Sequence, residues 1–272
     1  DSSSRPPTGI GVGSGGGRRV LALPPPIPAM APPNRIVSLA PAATATLREL
    51  GVADRLVGIT THCRAELDAD PTVLGGWLNP DLDELAALDP DIVCTSDALQ
   101  AEVRDALRDR GVRVYHMDAR TLPEVIDGFA ALGGAVGREG AGERLAARSR
   151  ERLDRIRDRA TDARPTVYCE EWADPPMAAG NWVPGIVAAA GGRHPFVDPG
   201  DRSRAVAREA VEAADPDHVV LHHCGHGSRA DPATFADRGW AVDAEVHVVD
   251  DALLNQPSPN LIDGAERLAG LF

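Results

Sequence analysis

Three of the four tryptophans stand in segments that could wall a site for a flat apolar ligand. Residues 168–185 read Tyr-Cys-Glu-Glu-Trp-Ala-Asp-Pro-Pro-Met-Ala-Ala-Gly-Asn-Trp-Val-Pro-Gly, with Trp172 and Trp182 bracketing a loop at Pro175-Pro176. Asn181 is placed to cap a following helix, with Pro184 in its first turn. Trp77 stands in Gly75-Gly76-Trp77-Leu78-Asn79-Pro80, where the glycines let the chain bend sharply beside the indole. Indole rings offer broad apolar faces with one N–H at the edge. A second group is His222-His223-Cys224-Gly225-His226. Imidazole and thiolate suit a transition metal, but adjacent ligands do not close a tetrahedral site by themselves. The His62-Cys63 pair offers the same donor types elsewhere in the chain. No G-x-S-x-G elbow, P-loop or H-E-x-x-H is found.

Composition narrows the classes. The 272 residues carry 28 Lys+Arg against 41 Asp+Glu, a formal charge of −13, and every basic residue is Arg. Such a surface repels nucleic acid and anionic lipid, and it resembles adaptation to high salt. No apolar run approaches the roughly 18–20 residues of a membrane span. The four cysteines are far apart and include no C-x-x-C pair, so free thiols are expected.

The elements that must position these residues follow a strand–helix alternation. Strands are expected at 35–39, 56–59, 91–94 and 112–115. Helices are expected at 42–50, 82–88, 97–110 and 121–136. A single long helix is expected over Glu139–Asp162, with Leu145, Leu153, Ile156 and Ala160 on one face. The alternation then restarts. Strands are expected at 166–170, 218–221 and 246–249, and helices at 183–190, 205–213, 232–238 and 259–272. The fold class is therefore α/β: two lobes with parallel or mixed sheets, an N-terminal lobe at 35–137 and a C-terminal lobe at 164–272, joined by the backbone helix at 138–163. Loops at the carboxyl ends of such strands are where open α/β sheets bind ligands.

Residues 1–34 stand apart as a flexible arm, with 8 of the 23 prolines and 6 of the 27 glycines. Gly11–Gly16 matches G-x-G-x-x-G but lacks the flanking strand and helix that give the motif its meaning. Residues 20–31 are broken by four prolines and do not read as a secretion signal. Both an extracytoplasmic and a cytoplasmic location stay open on this reading. The lobes also echo one another. Glu84 precedes Asp89-Pro90-Asp91, and Glu209 precedes Asp215-Pro216-Asp217, each ahead of an expected strand.

Arg35-Ile-Val-Ser-Leu-Ala-Pro-Ala-Ala-Thr at 35–44, the 75–80 segment, the Glu84 and Asp-Pro-Asp segment and the 168–192 stretch together resemble the cobalamin-binding proteins of ABC importers. These are substrate-binding proteins of the helical-backbone metal-receptor group, to which haem and ferric-siderophore binders are related. The resemblance runs from about residue 35 to the end. It implies a class III periplasmic-binding-protein-like fold, vitamin transport rather than catalysis, no cofactor of its own and cobalamin or a related corrinoid as ligand. The implied contacts are Ser38, Ala40, Pro41, His62, Cys63, Trp77, Asn79, Trp172, Pro176, Trp182, His222 and Asp251. Glu84 and Glu209 would dock onto arginines of the ABC transporter permease, with the receptor a monomer. Where the family's vitamin receptor places a tryptophan shortly before the second docking glutamate, this chain reads Asp201-Arg-Ser-Arg-Ala205, so that contact is either lost or replaced by Trp172 or Trp182. A haem or ferric-siderophore ligand in the same fold, and a metal-dependent enzyme built on His222, His223 and His226, remain as alternatives.

Overall fold

The computed structural model describes residues 31–63, 67, 70–160 and 163–272. The Pro/Gly-rich stretch 1–34, except its last four residues, and the Gly11–Gly16 motif lie outside the described residues. So do the last two positions of the expected long helix, 161 and 162.

The first lobe holds strands β1 (Ile36–Ser38), β2 (Leu56–Ile59), β3 (Thr72–Val73), β4 (Ile92–Ser96) and β5 (Val114–Met117). They form one sheet in the order β3-β2-β1-β4-β5, parallel throughout. The middle strands β1 and β4 are buried along their whole length, which is why they read as continuous runs rather than alternating ones. Helices α1 (Pro41–Glu49), α2 (Leu82–Ala87), α3 (Ala101–Asp109) and α4 (Leu122–Ala135) connect and cover them. Thr121 and Glu124 form a reciprocal capping box at the start of α4, satisfying two orphan N–H groups.

Helix α5 (Glu139–Arg157) then runs about 28 Å at 1.5 Å per residue. Its buried face is Gly142, Leu145, Ala146, Ser149, Leu153 and Ile156. The helix stops short of Ala160, which is exposed rather than on that face. Helix α5 crosses α4 very closely. A Cβ on Gly142 would lie 2.7 Å from the Phe129 carbonyl oxygen, and one on Gly133 would lie 2.8 Å from the Gly142 Cα.

The second lobe holds β6 (Val167–Ala173), β7 (Pro176–Ala178), β8 (Arg204–Ala205), β9 (His218–Leu221) and β10 (Glu245–Val248), with helices α6 (Val183–Ala189), α7 (Arg208–Ala214), α8 (Ala233–Ala236) and α9 (Asn260–Ala269). Its sheet runs β10-β9-β6-β7-β8. The pairs among β10, β9 and β6 are parallel, and those of β7 are antiparallel, so this sheet is mixed. One apolar core runs through both lobes, from Ile36 and Phe129 through Leu145 to Ile186 and Leu261.

Several local expectations change. The Pro175-Pro176 loop is the turn of a β6–β7 hairpin that pairs Ala173 with Pro176. A proline is tolerated there because it opens its strand, and its carbonyl accepts from the Val206 N–H at 3.0 Å. Asn181 does not cap α6. Its φ is +52°, and Trp182 takes the cap position with no side-chain cap bond. The helix expected over 97–110 opens as a 3-10 turn at Ala98–Gln100, and residues 204–205 form β8 ahead of α7.

The paired Asp-Pro-Asp segments prove to be one turn built twice. Asp89 and Asp215 each end a helix at φ +44°. Asp91 accepts from the Asn34 and Arg35 N–H groups at 2.7 and 2.9 Å, and Asp217 accepts from the Thr166 N–H at 2.7 Å. Each second aspartate thereby aligns its strand with the neighbouring one.

Candidate ligand cleft

The carboxyl ends of both sheets open on a cavity of about 450 Å3. Trp77 and Leu99 wall it from the first lobe, and Trp172, Met177 and Trp182 from the second. The sharp bend that presents Trp77 is made by Gly75 at φ +88° and a bridge from Gly75 to Pro80. It is pinned from behind by the fully buried Gln100. The Gln100 Nε2 donates to the Trp77 and Leu39 carbonyls at 2.8 and 3.0 Å, and its Oε1 accepts from the Ser96 N–H at 2.8 Å. The Trp77 indole N–H is buried and has no hydrogen-bond partner among the described residues.

Trp172 is 45% exposed, an unusual state for so large an apolar surface unless something covers it. Its Nε1 donates to the Asp174 carbonyl at 2.9 Å, which fixes the ring on the hairpin. Trp182 is nearly buried and donates to the Leu254 carbonyl at 2.7 Å, so it forms a rigid floor. Gly180 is required where the hairpin leaves, because a Cβ there would lie 2.4 Å from the Asp201 carbonyl oxygen.

Polar groups sit between the aromatic walls. Burial pushes the Glu171 carboxyl above the usual carboxylate range. The Asp97 carboxylate of the opposite lobe adds to this, and Ser203 opposes it. Arg120 and Arg202 also line the cavity, and Arg120 lies 3.4 Å from Asp118. Asn181 and Asn255 supply neutral amides to the wall.

Of the residues expected at the ligand, Trp77, Trp172 and Trp182 share this wall. Ser38, Ala40, Cys63, His222 and Asp251 are buried and are not among the residues that line the cavity. Thr44 Oγ1 lies 2.8 Å from Ser38 Oγ and 3.0 Å from Cys63 Sγ, tying the turn after β1 to the 60–63 loop. Asp251 accepts from the Gly225 and Gly227 N–H groups at 2.5 and 3.1 Å. Pro41 and Pro176 are half-buried, and His62 and Asn79 are exposed; none of the four is in the wall. Glu84 and Glu209 are exposed, each in the first turn of its helix.

The histidine cluster does not converge on one point. His222 Nδ1 pairs with Asn255 Oδ1, and Asn255 Nδ2 donates to the His222 carbonyl at 2.9 Å. His223 Nε2 meets Glu170 Oε1 at 2.9 Å, whereas His226 is exposed. Glu170 is fully buried and also holds Arg238 through two contacts of 2.6 and 2.9 Å and the Tyr168 hydroxyl at 2.9 Å.

The sequence reading passed over Asp97, Leu99, Arg120, Glu171, Arg202 and Asn255. Asp97 and Leu99 follow β4, and Arg120 follows β5; their place just past strand ends was the available signal.

Two sheets whose strand ends face one another across an open cleft, spaced by one backbone helix, make a ligand receptor. The chain belongs to the periplasmic binding protein family, whose sequence profile matches residues 36–246. It is 26% identical over 256 residues to the cobalamin-binding protein of Halobacterium salinarum, covering 88% of this chain and 69% of that protein. It is also 26% identical to the vitamin B12-binding protein of Vibrio cholerae, covering 87% and 88%. Among solved structures it is similar to the periplasmic vitamin B12 binding protein BtuF of Vibrio cholerae, with a TM-score of 0.70, 23% identity and coverage of 88% and 96%. The periplasmic haem-binding protein HutB of Vibrio cholerae shares the fold at a TM-score of 0.75 and 15% identity, covering 87% and 98%.

Proposed function

We propose that this protein binds cobalamin or a related corrinoid between its lobes and delivers it to an ABC transporter permease, outside the cytoplasmic membrane and without transforming it. The observation that carries this reading is the pairing of Trp77 from one lobe with the exposed Trp172 and the fixed Trp182 of the other around one open cavity. Aromatic faces supply apolar contact to a rigid macrocycle, and a largely preformed cleft loses little conformational entropy on binding it. A corrinoid carries neutral peripheral amides. The Glu171 carboxyl, Asn181, Asn255 and the unpartnered Trp77 indole N–H offer acceptors and donors suited to them.

A haem would bring two carboxylates instead. The cleft meets them with Asp97 and Glu171 as well as Arg120 and Arg202, so charge does not favour it. The named ligands of the curated relatives point the same way.

The test is titration of the purified protein with cyanocobalamin, followed by gel filtration. Colour should travel with the protein. Trp77→Ala and Trp172→Ala should each weaken binding about 30-fold, the order of 2 kcal/mol for an aromatic anchor. Unchanged affinity in both would refute the cleft assignment. Glu84→Arg with Glu209→Arg should spare binding and abolish uptake, because rim charges fix register more than affinity. Loss of binding in that variant would place these residues in the pocket or the fold instead.

A further inference from the structure

At the opposite end of the strands that feed the cleft, His218 opens β9 and Glu245 opens β10, and the two face each other in register. His247 lies two residues beyond Glu245, on the same face of its strand. His218 Nδ1 and His247 Nε2 are 3.1 Å apart, and Glu245 Oε2 is 3.6 Å from His247 Nε2. One donor atom from each residue lies within 4.8 Å of the other two. We infer that His218, His247 and Glu245 form a binding site for a divalent transition-metal ion of the zinc type, separate from the ligand cleft.

The spacing is what carries this. Two imidazole nitrogens about 2.0–2.1 Å from a tetrahedral zinc stand roughly 3.3 Å from each other, so this pair needs only a small adjustment to share an ion. Two nitrogens and one carboxylate oxygen suit zinc, nickel or copper and leave calcium and magnesium poorly served. A hydrogen bond between the two rings alone would give Glu245 no part. The Phe272 ring packs against His218 at 5.3 Å between centroids and holds that imidazole in place. β10 is an edge strand and Glu245 is exposed, so an ion has an entry path and a fourth position is open to water. Arg267 lies close enough to His247 to act on its charge, and it works against the ion.

The test uses the full chain, stripped with a chelator and titrated with Zn2+ by calorimetry, with Co2+ absorption as a second probe. The expected result is one saturable equivalent and a tetrahedral Co2+ spectrum. His218→Gln with His247→Gln should abolish both, and Glu245→Gln should weaken binding at least about tenfold. Absence of saturable binding, or binding that survives in the double variant, overturns the assignment. Should the double variant fail to fold, Glu245→Gln decides, since its side chain is at the surface. Unchanged affinity there overturns the three-ligand site.

Discussion

Acid should lower the stability of the fold through His222, and the size of the effect follows from its surroundings. With Nδ1 committed to Asn255, the second nitrogen, Nε2, is buried and has no hydrogen-bond partner among the described residues. Protonation would place a charge and an unmatched N–H in the core. Burial accordingly holds this imidazole down at about 4, from an ordinary 6.5. Between those two pH values the unfolded chain binds more protons than the folded one, so stability rises with pH. The contribution is complete above about pH 6.5 and is lost as pH falls toward 4. The full span is about 3 kcal/mol, and at pH 5 the loss is about 2 kcal/mol. The assay is urea unfolding at pH 7 and pH 5 for the wild type and for His222→Gln. The wild type should lose about 2 kcal/mol more than the variant across that interval. His194, which burial also holds below its ordinary range, acts in the same direction and leaves a residual slope in the variant. An equal pH dependence in the two proteins would refute the reasoning. His222 stays neutral in the folded protein until the pH nears 4, so the Asn255 side of the cleft should keep its ligand affinity from pH 7 to 5 while stability falls.

Two further substitutions test how the walls are held. Gln100→Leu leaves two carbonyls and one N–H behind the Trp77 loop without their partner. It should cost about 2–4 kcal/mol in chemical unfolding and weaken ligand binding alongside. Gly180→Ala forces a methyl group against the 201–203 backbone and should displace the hairpin wall; calorimetric titration should then show ligand affinity reduced by at least about fivefold, from a cost of about 1–3 kcal/mol for overpacking.

How far the sequence was legible depends on where each signal lives. β2 and β9 fall within their expected bounds because short apolar runs between turn residues are local signals. The same holds for α4, whose capping box is written in four consecutive residues. The β6–β7 hairpin was hidden because Pro175-Pro176 reads as a chain breaker, and only pairing with Ala173 and Val206 shows that the second proline opens a strand. β3 is two residues long and has no pattern to detect. In the site, the tryptophans stood out by type alone. Asp97 and Arg120 are ordinary surface residues whose meaning comes from lying past the ends of β4 and β5. Ser38 and Asp251 have functional-looking chemistry, yet the Ser38 hydroxyl meets the Ala40 carbonyl of its own turn and the Asp251 carboxylate accepts from backbone N–H groups of the loop after β9.

The two lobes cannot be treated as independent jaws. The core that begins at Ile36 in the first sheet continues through Phe129 and Leu145 to Ile186 and Leu261 as one cluster, and Arg152 on α5 pairs with Asp263 and Glu266 on α9 at 2.6 and 2.8 Å. The α4–α5 crossing is so close that glycine is needed on both helices. Large hinge motion would have to open this packed region, whose apolar burial is worth about 25 cal/mol for each Å2 exposed. The width of the cleft is thus set before a ligand arrives, and selection falls on guests that match it. Under the receptor reading, a permease then has little global closure to sense. What remains to distinguish a loaded receptor is the cleft wall itself: Trp172, 45% exposed when bare and covered when a ligand is seated.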